Sequence, residues 1–514
     1  MGLYDFSFYD LICRNACCFQ EKPAWFEADT GNTTSFAEYK LQVDRLAAGL
    51  QQTGIQIGDR IGVVGKNRLA FFQLYGAAAA IGAIVVPINW RLSADEVAFN
   101  LNDCNPKIVF VDDEFSPVAT GIQDQLESVQ RIYNLTDQGP FESFKTLMAS
   151  QPFSGDSISA DAGLVIIHTA AVAGRPRGAL LSQANLLCAS LHLNYCFGLS
   201  PTDVHLNLLP LFHVGGLFMA VNAFHAGALN VNMSKFDADR AVELIATHKV
   251  SVLFDFSPIL GSILDAQEKD GADITSLQSV MGLDAPQTIE RYQEATGGCF
   301  YAMYGQTETS CLTSMGRYND RPGSAGRPIP LGLVELVDDA DEPVPSGEEG
   351  EITLKGPMVF KGYWNLDEDN AHTFRNGRHH TGDLGRFDAD GFLWYAGRKP
   401  EKELIKPGGE NVYPAEVEKV ILEHPAVEQT VVFGVPDPKW KEGIKAVCML
   451  KSGQQLTDKE LIAFVGNRIA RYKKPQYVQF VETMPHKDGA IDRDAVKARY
   501  GGEQESSRSH GGPE

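Results

Sequence analysis

Between residues 35 and 115, short apolar runs rich in β-branched side chains alternate with helical segments that carry their own start signals. Ser35-x-x-Glu38 is a capping box: a hydroxyl and a carboxylate each satisfy a backbone N–H at a helix start. It opens a helix to about Gln51. Residues 60–65 read as a strand, 68–81 as an Ala-rich buried helix and 83–89 as a second strand. Ser93-x-x-Glu96 then caps another helix, and residues 107–112 close the series. Residues 164–169, 207–212 and 251–255 read as further buried strands. Strands buried on both faces lose polar alternation, and parallel neighbours need helical crossovers. The pattern therefore predicts an α/β fold, with a large body of parallel or mixed sheets flanked by helices.

Residues 335–400 change character. Short strands separated by Gly, Asp and Pro turns predict an antiparallel β subdomain. After Gly397-Arg398 the pattern restarts. A helix follows Pro414, strands fit 429–435 and 444–450, and a helix fits 457–469. The expected domains are a body over 1–397, a small α+β unit over 398–500, and a polar, disordered tail over 501–514. A chain of 514 residues exceeds what one hydrophobic core serves.

The formal net charge of -21 disfavours nucleic acid and anionic membrane surfaces as partners. No apolar run reaches the roughly 18 residues of a membrane span. Met1-Gly2-Leu3-Tyr4-Asp5 lacks the basic start of a secretory leader. Nine cysteines include no CxxC pair, and Cys13, Cys17 and Cys18 have no matching set at zinc spacing. Reduced thiols in a cytoplasm are expected.

Three short words stand in order along the chain: Tyr304-Gly305-Gln306-Thr307-Glu308, then His380-Thr381-Gly382-Asp383, then Gly397-Arg398. Each alone is common. Together they supply a ring to stack on a base, a hydroxyl and a carboxylate for phosphate and metal, and an aspartate and an arginine suited to a ribose. The segment 168–178, His-Thr-Ala-Ala-Val-Ala-Gly-Arg-Pro-Arg-Gly, follows a predicted strand and precedes a predicted helix. A glycine-bearing loop in that place aims backbone N–H groups at an anion, although GxxxxGK[ST] is absent. A packed structural turn is the competing reading.

With these words in this order, the chain resembles the adenylate-forming acid–CoA ligases (the superfamily of acyl-CoA synthetases, luciferases and peptide-synthetase adenylation domains) over nearly its whole length, to about residue 498. The resemblance implies ATP, CoA and Mg2+ as cofactors and a small carboxylic acid as substrate. An acyl-adenylate forms, pyrophosphate and AMP leave, and the small C-terminal lid rotates between the two half-reactions. It places Tyr304 on the purine within the turn that carries Gly305 and Gln306. Thr307 then faces the α-phosphate, Glu308 the magnesium, and Asp383 with Arg398 the ribose. Gly282, Asp284, Ala285 and Pro286 stand where the family has a turn along the adenine.

In the phosphate loop Thr169, Gly174, Pro176 and Gly178 match the family, while Arg177 replaces a lysine and alanines replace most hydroxyl-bearing positions. His213, in Phe-His-x-Gly-Gly, stands at the family's aromatic gate to the acyl tunnel; a satisfied core histidine is the alternative. Gly408 and Gly409 stand where a backbone passes the pantetheine arm, and the hinge falls at Glu401 or Lys402. Ala490 occupies the place of the family's catalytic lysine. Lys487 reaching in from a shorter loop, an engineered alanine, or a slow or specialised enzyme each fit that departure. The absence of a clear cation near 209–217 leans toward a monoacid, and a homodimer is compatible with the family. Two other functions share these residues: acid adenylation with transfer to a carrier protein or other acceptor, and non-catalytic binding of nucleotide or acyl-CoA.

Overall fold

Ser35 and Glu38 close the reciprocal cap that their spacing predicts. The Glu38 carboxylate accepts the Ser35 N–H at 2.8 Å, and the Ser35 hydroxyl accepts the Glu38 N–H at 3.2 Å. The helix Phe36–Gln52 follows. These geometries come from a computed structural model that describes residues 5–155, 158–172, 175–399, 403–407, 410–438, 440–487 and 490–501. Chain contacts divide the molecule into two units. The larger comprises Met1–Trp90, Ala94–Thr169 and Arg177–Lys399; the smaller comprises Arg91–Ser93, Ala170–Pro176 and Pro400–Glu514.

The larger unit holds the α/β architecture that the alternation predicts. One sheet has eight strands and contains the parallel run Ile84–Ile88, Arg60–Val64, Ile108–Val111 and Arg131–Asn134. A second has nine strands, with Leu229–Asn232, Val204–Asn207, Val252–Phe256, Ser279–Leu283 and Cys299–Tyr304 all parallel. Leu69–Ile81, apolar all round, is buried along nearly its whole length, which an exposed helix of that composition could not sustain. Trp25 stacks on Phe72 at 4.9 Å within an aromatic cluster that includes Phe8, Tyr39 and Phe224. Leu333–Val337, Gly350–Lys355, His379–Phe387 and Leu393–Arg398 form the four-stranded antiparallel subdomain.

The smaller unit pairs Val427–Asp437, Lys441–Leu450 and Tyr477–Val481 beside the helices Pro414–Leu422 and Asp458–Gly466. Ile405, Val417, Ile421, Ile444 and Leu461 are buried in a core of its own. Residues 502–514, most of the expected tail, lie outside the described residues.

Two expectations about local structure need correction. Residues 207–212 do not form a strand; the strand is Val204–Asn207, and the chain then leaves the sheet. Pro210 has no N–H for a ladder. Asn67 replaces the missing neighbour, donating to the Leu209 carbonyl at 2.8 Å and accepting the Leu211 N–H at 2.7 Å. The second correction concerns the glycine-bearing loop. It leads from Gly163–Val172 not into a helix but into another strand, Arg175–Ser182, and the helix Gln183–Phe197 starts only after the Ser182 cap. Gly178 allows the two strands to lie close, since a Cβ there would meet the Ile166 side chain at 2.6 Å.

Candidate active site

Four parallel strands, Val204–Asn207, Val252–Phe256, Ser279–Leu283 and Cys299–Tyr304, end at one edge of the nine-stranded sheet. Ligands of open α/β sheets sit outside such carboxyl ends. The segments leaving three of these strands carry His213, Gly282–Pro286 and Tyr304–Glu308.

The last of these turns sharply. A Cβ on Gly305 would lie 2.0 Å from the Cys311 carbonyl oxygen, so only glycine lets the chain fold back here. The Gln306 N–H donates to the Thr309 hydroxyl at 2.9 Å, and the Cys311 N–H donates to the Gln306 carbonyl at 3.0 Å. The resulting 3-10 turn, Thr307–Thr309, leaves Thr307 half-buried and Glu308 buried. Gly305→Ala is expected to destabilise the protein by about 1–3 kcal/mol, the usual cost of forcing extra volume into a packed site. Chemical denaturation would measure it; unchanged stability would mean the turn can open.

Asp383 is the hub of a buried polar network. The Tyr304 hydroxyl donates to its Oδ2 at 2.7 Å, and the Gln306 amide donates both to Oδ2 and, at 3.0 Å, to the Thr381 carbonyl. Arg398 lies opposite Asp383 across an antiparallel ladder and approaches its Oδ1 at 3.1 Å. Burial first, and then the Asp383 charge, push the Tyr304 hydroxyl well above its ordinary pKa and keep it a donor. The Tyr304 ring stacks at 6.0 Å on the half-exposed ring of Tyr395. The three words of the sequence thus meet at one carboxylate.

Glu308 belongs to a second network. The Tyr363 hydroxyl donates to its Oε1 at 2.8 Å. Arg177 donates to that hydroxyl at 3.1 Å and to Asp369 at 2.9 Å, and its guanidinium lies 3.9 Å above the Tyr363 ring. Thr169 donates to the Arg177 carbonyl at 3.3 Å. Arg177 and Glu308 are therefore joined through the Tyr363 hydroxyl, while Thr169 meets Arg177 only at its backbone carbonyl. Sequence reasoning missed Tyr363 and Asp369. Their only local signal is the polar segment 361–373, whose Gly362–Tyr363 pairs with Ala179 and Leu180 of the strand carrying Arg177.

Behind Asp383, Glu351 is buried among cations. Its carboxylate accepts the Gly382 N–H at 2.8 Å, and Lys399, Arg375 and His380 lie within 3.1–3.3 Å of it. Burial opposes its ionisation, but bonds from His380, Lys399 and the Gly382 amide outweigh burial and hold the carboxyl well below its ordinary value. A carboxyl lowered on folding stabilises above its unfolded pKa of 4.5, and that contribution disappears as pH falls further. Glu351→Gln should therefore lower the melting temperature at pH 7, and the gap to the parent protein should narrow as pH is taken below about 4. A gap that is constant across pH would remove this role.

Gly282 sits where a Cβ would lie 2.0 Å from the Asp255 carbonyl oxygen, so the strands pack closely there. Asp284 accepts the Ala285 N–H at 2.6 Å, and Pro286 opens the helix Pro286–Thr296. His213 is half-buried, with its ring 4.7 Å from that of Phe212, and occupies the N-cap of Val214–Ala226. Gly216 lets this helix start against the loop, since a Cβ would meet the Pro210 carbonyl at 2.2 Å.

Lys487 lies in the smaller unit, exposed on the short strand His486–Lys487 and in register with Ala490. Gly174, Gly408, Gly409, Glu401 and Lys402 lie outside the described residues.

Comparison with known proteins accords with this geometry. Residues 14–364 match the model of the AMP-binding enzyme family, and residues 416–488 match that of its C-terminal domain. The chain is 33% identical over 477 residues to an indoleacetate–CoA ligase of Aromatoleum aromaticum, covering 90% of this chain and 92% of the relative. It is 30% identical over 478 residues to a feruloyl-CoA synthase of an Amycolatopsis species, covering 92% and 95%. Among solved structures, o-succinylbenzoate CoA synthetase from Bacillus subtilis, bound to a product analogue, superposes with a TM-score of 0.83 at 27% identity, covering 95% of this chain and 98% of that one. This chain belongs to the AMP-binding enzyme family of adenylate-forming ligases.

Proposed function

We propose that this protein is an ATP-dependent carboxylic acid–CoA ligase that works through an acyl-adenylate and takes an aromatic monocarboxylic acid. The observation that carries the reading is the meeting of Tyr304, Gln306, Asp383 and Arg398 at one buried carboxylate, one turn from Glu308. The aromatic preference rests on the named substrates of two relatives and on Phe212, Phe254 and Phe256 near His213 and Gly215.

The acid's carboxylate attacks the ATP α-phosphorus, and pyrophosphate departs. The CoA thiolate then attacks the acyl carbon, and AMP leaves as a far better leaving group than hydroxide. Tyr304 offers its ring to the purine, Asp383 and Arg398 address the ribose, and Thr307 donates to the α-phosphate. Gly282, Asp284, Ala285 and Pro286 line the adenine, while Thr169 and Arg177 address the outer phosphates. His213 gates the acyl tunnel. Mg2+ takes one or two carboxylates together with substrate phosphates, and Glu308 offers one such carboxylate, oriented by Tyr363. A bound Mg2+ would neutralise charge on the leaving pyrophosphate. All nine cysteines are unpaired, which fits a reducing cytoplasm.

Pyrophosphate exchange with a panel of acids tests the first step, and CoA-dependent thioester formation tests the second. Exchange should rise with indole- or cinnamate-like acids; no exchange with any acid would overturn the reading. Ala490→Lys should raise exchange by at least about tenfold, because it restores a cation for the oxygens that develop charge. An unchanged rate would mean another cation, Lys487 first among them, already does this.

A further inference from the structure

A side-chain cluster that the ligase chemistry does not use lies in the larger unit. Asp103 and Cys104 end the helix Ala94–Cys104, and His168 lies on the strand Gly163–Val172. Three atoms face one another: Asp103 Oδ2, Cys104 Sγ and His168 Nε2. The oxygen–nitrogen distance is 3.1 Å, nitrogen–sulfur 3.9 Å and oxygen–sulfur 4.0 Å. The point equidistant from all three lies about 2.1 Å from each. Zinc bonds to carboxylate oxygen, imidazole nitrogen and thiolate sulfur run from about 2.0 to 2.3 Å. The equidistant point lies in the plane of the three atoms, so a tetrahedral ion with a fourth ligand needs Cys104 Sγ to approach the other two by roughly 0.5 Å.

We propose that Asp103, Cys104 and His168 form a zinc-binding site. The donor set of one thiolate, one imidazole and one carboxylate suits a borderline-soft divalent ion and not magnesium or calcium. With the thiol deprotonated, two negative ligands balance the ion, and the Arg60 guanidinium, which donates to the Cys104 carbonyl at 2.6 Å, favours the thiolate. The Cys104 side chain is buried and that of His168 is 5% exposed, while that of Asp103 is 29% exposed, which leaves an approach for the ion and for a fourth, water ligand. On binding, the Cys104 thiol gives its proton to solvent and its sulfur bonds to the metal, so affinity rises with pH. The other His/carboxylate group, Asp341, Glu351 and His380, is already paired with Arg375 and Lys399. Zinc at His168 would tie the strand that carries Thr169 to the end of the helix Ala94–Cys104.

The test uses the full chain, stripped with a chelator and free of nucleotide, and titrated with Co2+ and then Zn2+. One Co2+ per chain should produce a near-ultraviolet thiolate-to-metal band, Zn2+ should displace it, and Zn2+ should raise the melting temperature. Cys104→Ala should abolish the band. Asp103→Asn, at a partly exposed position, should weaken binding by at least about tenfold. A Cys17→Ser/Cys18→Ser variant, which removes the exposed thiols, should keep the band. The proposal is overturned if no band forms, if the band survives Cys104→Ala, or if it vanishes with Cys17 and Cys18. Should Cys104→Ala fail to fold, unaltered affinity in Asp103→Asn overturns it equally.

Discussion

Glu308→Gln is expected to lower acid-dependent pyrophosphate exchange by about 10²–10³-fold, while thermal stability changes little. Glutamine keeps the shape and still accepts the Tyr363 hydroxyl, whose bond to Glu308 Oε1 is 2.8 Å. It loses the charge that would hold a divalent ion against the departing pyrophosphate. Removing one preorganised electrostatic group from a water-poor site costs that order of rate. Tyr363→Phe separates charge from position. It leaves the Glu308 carboxylate intact but removes the hydroxyl that joins it to Arg177. Exchange should fall less, by about tenfold, and most of the loss should appear in kcat if the carboxylate is held but misdirected. If Glu308→Gln exchanges at the parent rate, Glu308 does not hold the metal, and the assignment of this turn fails.

Asp383→Ala is expected to show two losses together. The Tyr304 hydroxyl, the Gln306 amide and Arg398 all turn to this one carboxylate, which is almost fully buried. Removing it leaves two buried donors without their shared acceptor and takes the counter-charge from a half-buried arginine, a change expected to cost about 2–3 kcal/mol. The same substitution should raise KM for ATP by at least about tenfold, a bidentate contact to a nucleotide hydroxyl pair being worth more than 1.4 kcal/mol. Asp383→Asn is the control, since it keeps volume and one acceptor oxygen and should fold nearly as well. A variant that loses stability but binds ATP normally would assign Asp383 to structure alone.

The two networks were unequally legible in the sequence. The Asp383 hub could be anticipated because its members sit in three recognisable words, each with a local reason for its shape. Gly305 must turn, Asp383 faces Arg398 in a hairpin ladder, and Tyr304 ends a strand. Tyr363 and Asp369 had no such word. Tyr363 reaches Glu308 across 55 residues and Arg177 across 186, through strand pairing between distant segments. The same reason hid Glu351, whose partners Arg375 and His380 come from one turn and the strand it enters, and Lys399 from the end of the next strand. Asn207–Phe212 misled for a related reason: its apolar run reads as a strand, and only the side chain of Asn67 and the missing Pro210 N–H show why it leaves the sheet.

Periodicity and capping are short-range properties, carried by backbone sterics and by groups three or four residues apart. From them alone follow the α/β class, the antiparallel subdomain and the start of the Phe36–Gln52 helix. Motif order added which segments hold reactive groups. Which side chains share a proton, and which carboxylates meet cations, depends on sheet order and register. Those are set by the packing of the whole core, so Arg177, Tyr363 and Glu308 became one network only once the strands Arg175–Ser182 and Gly362–Tyr363 had paired.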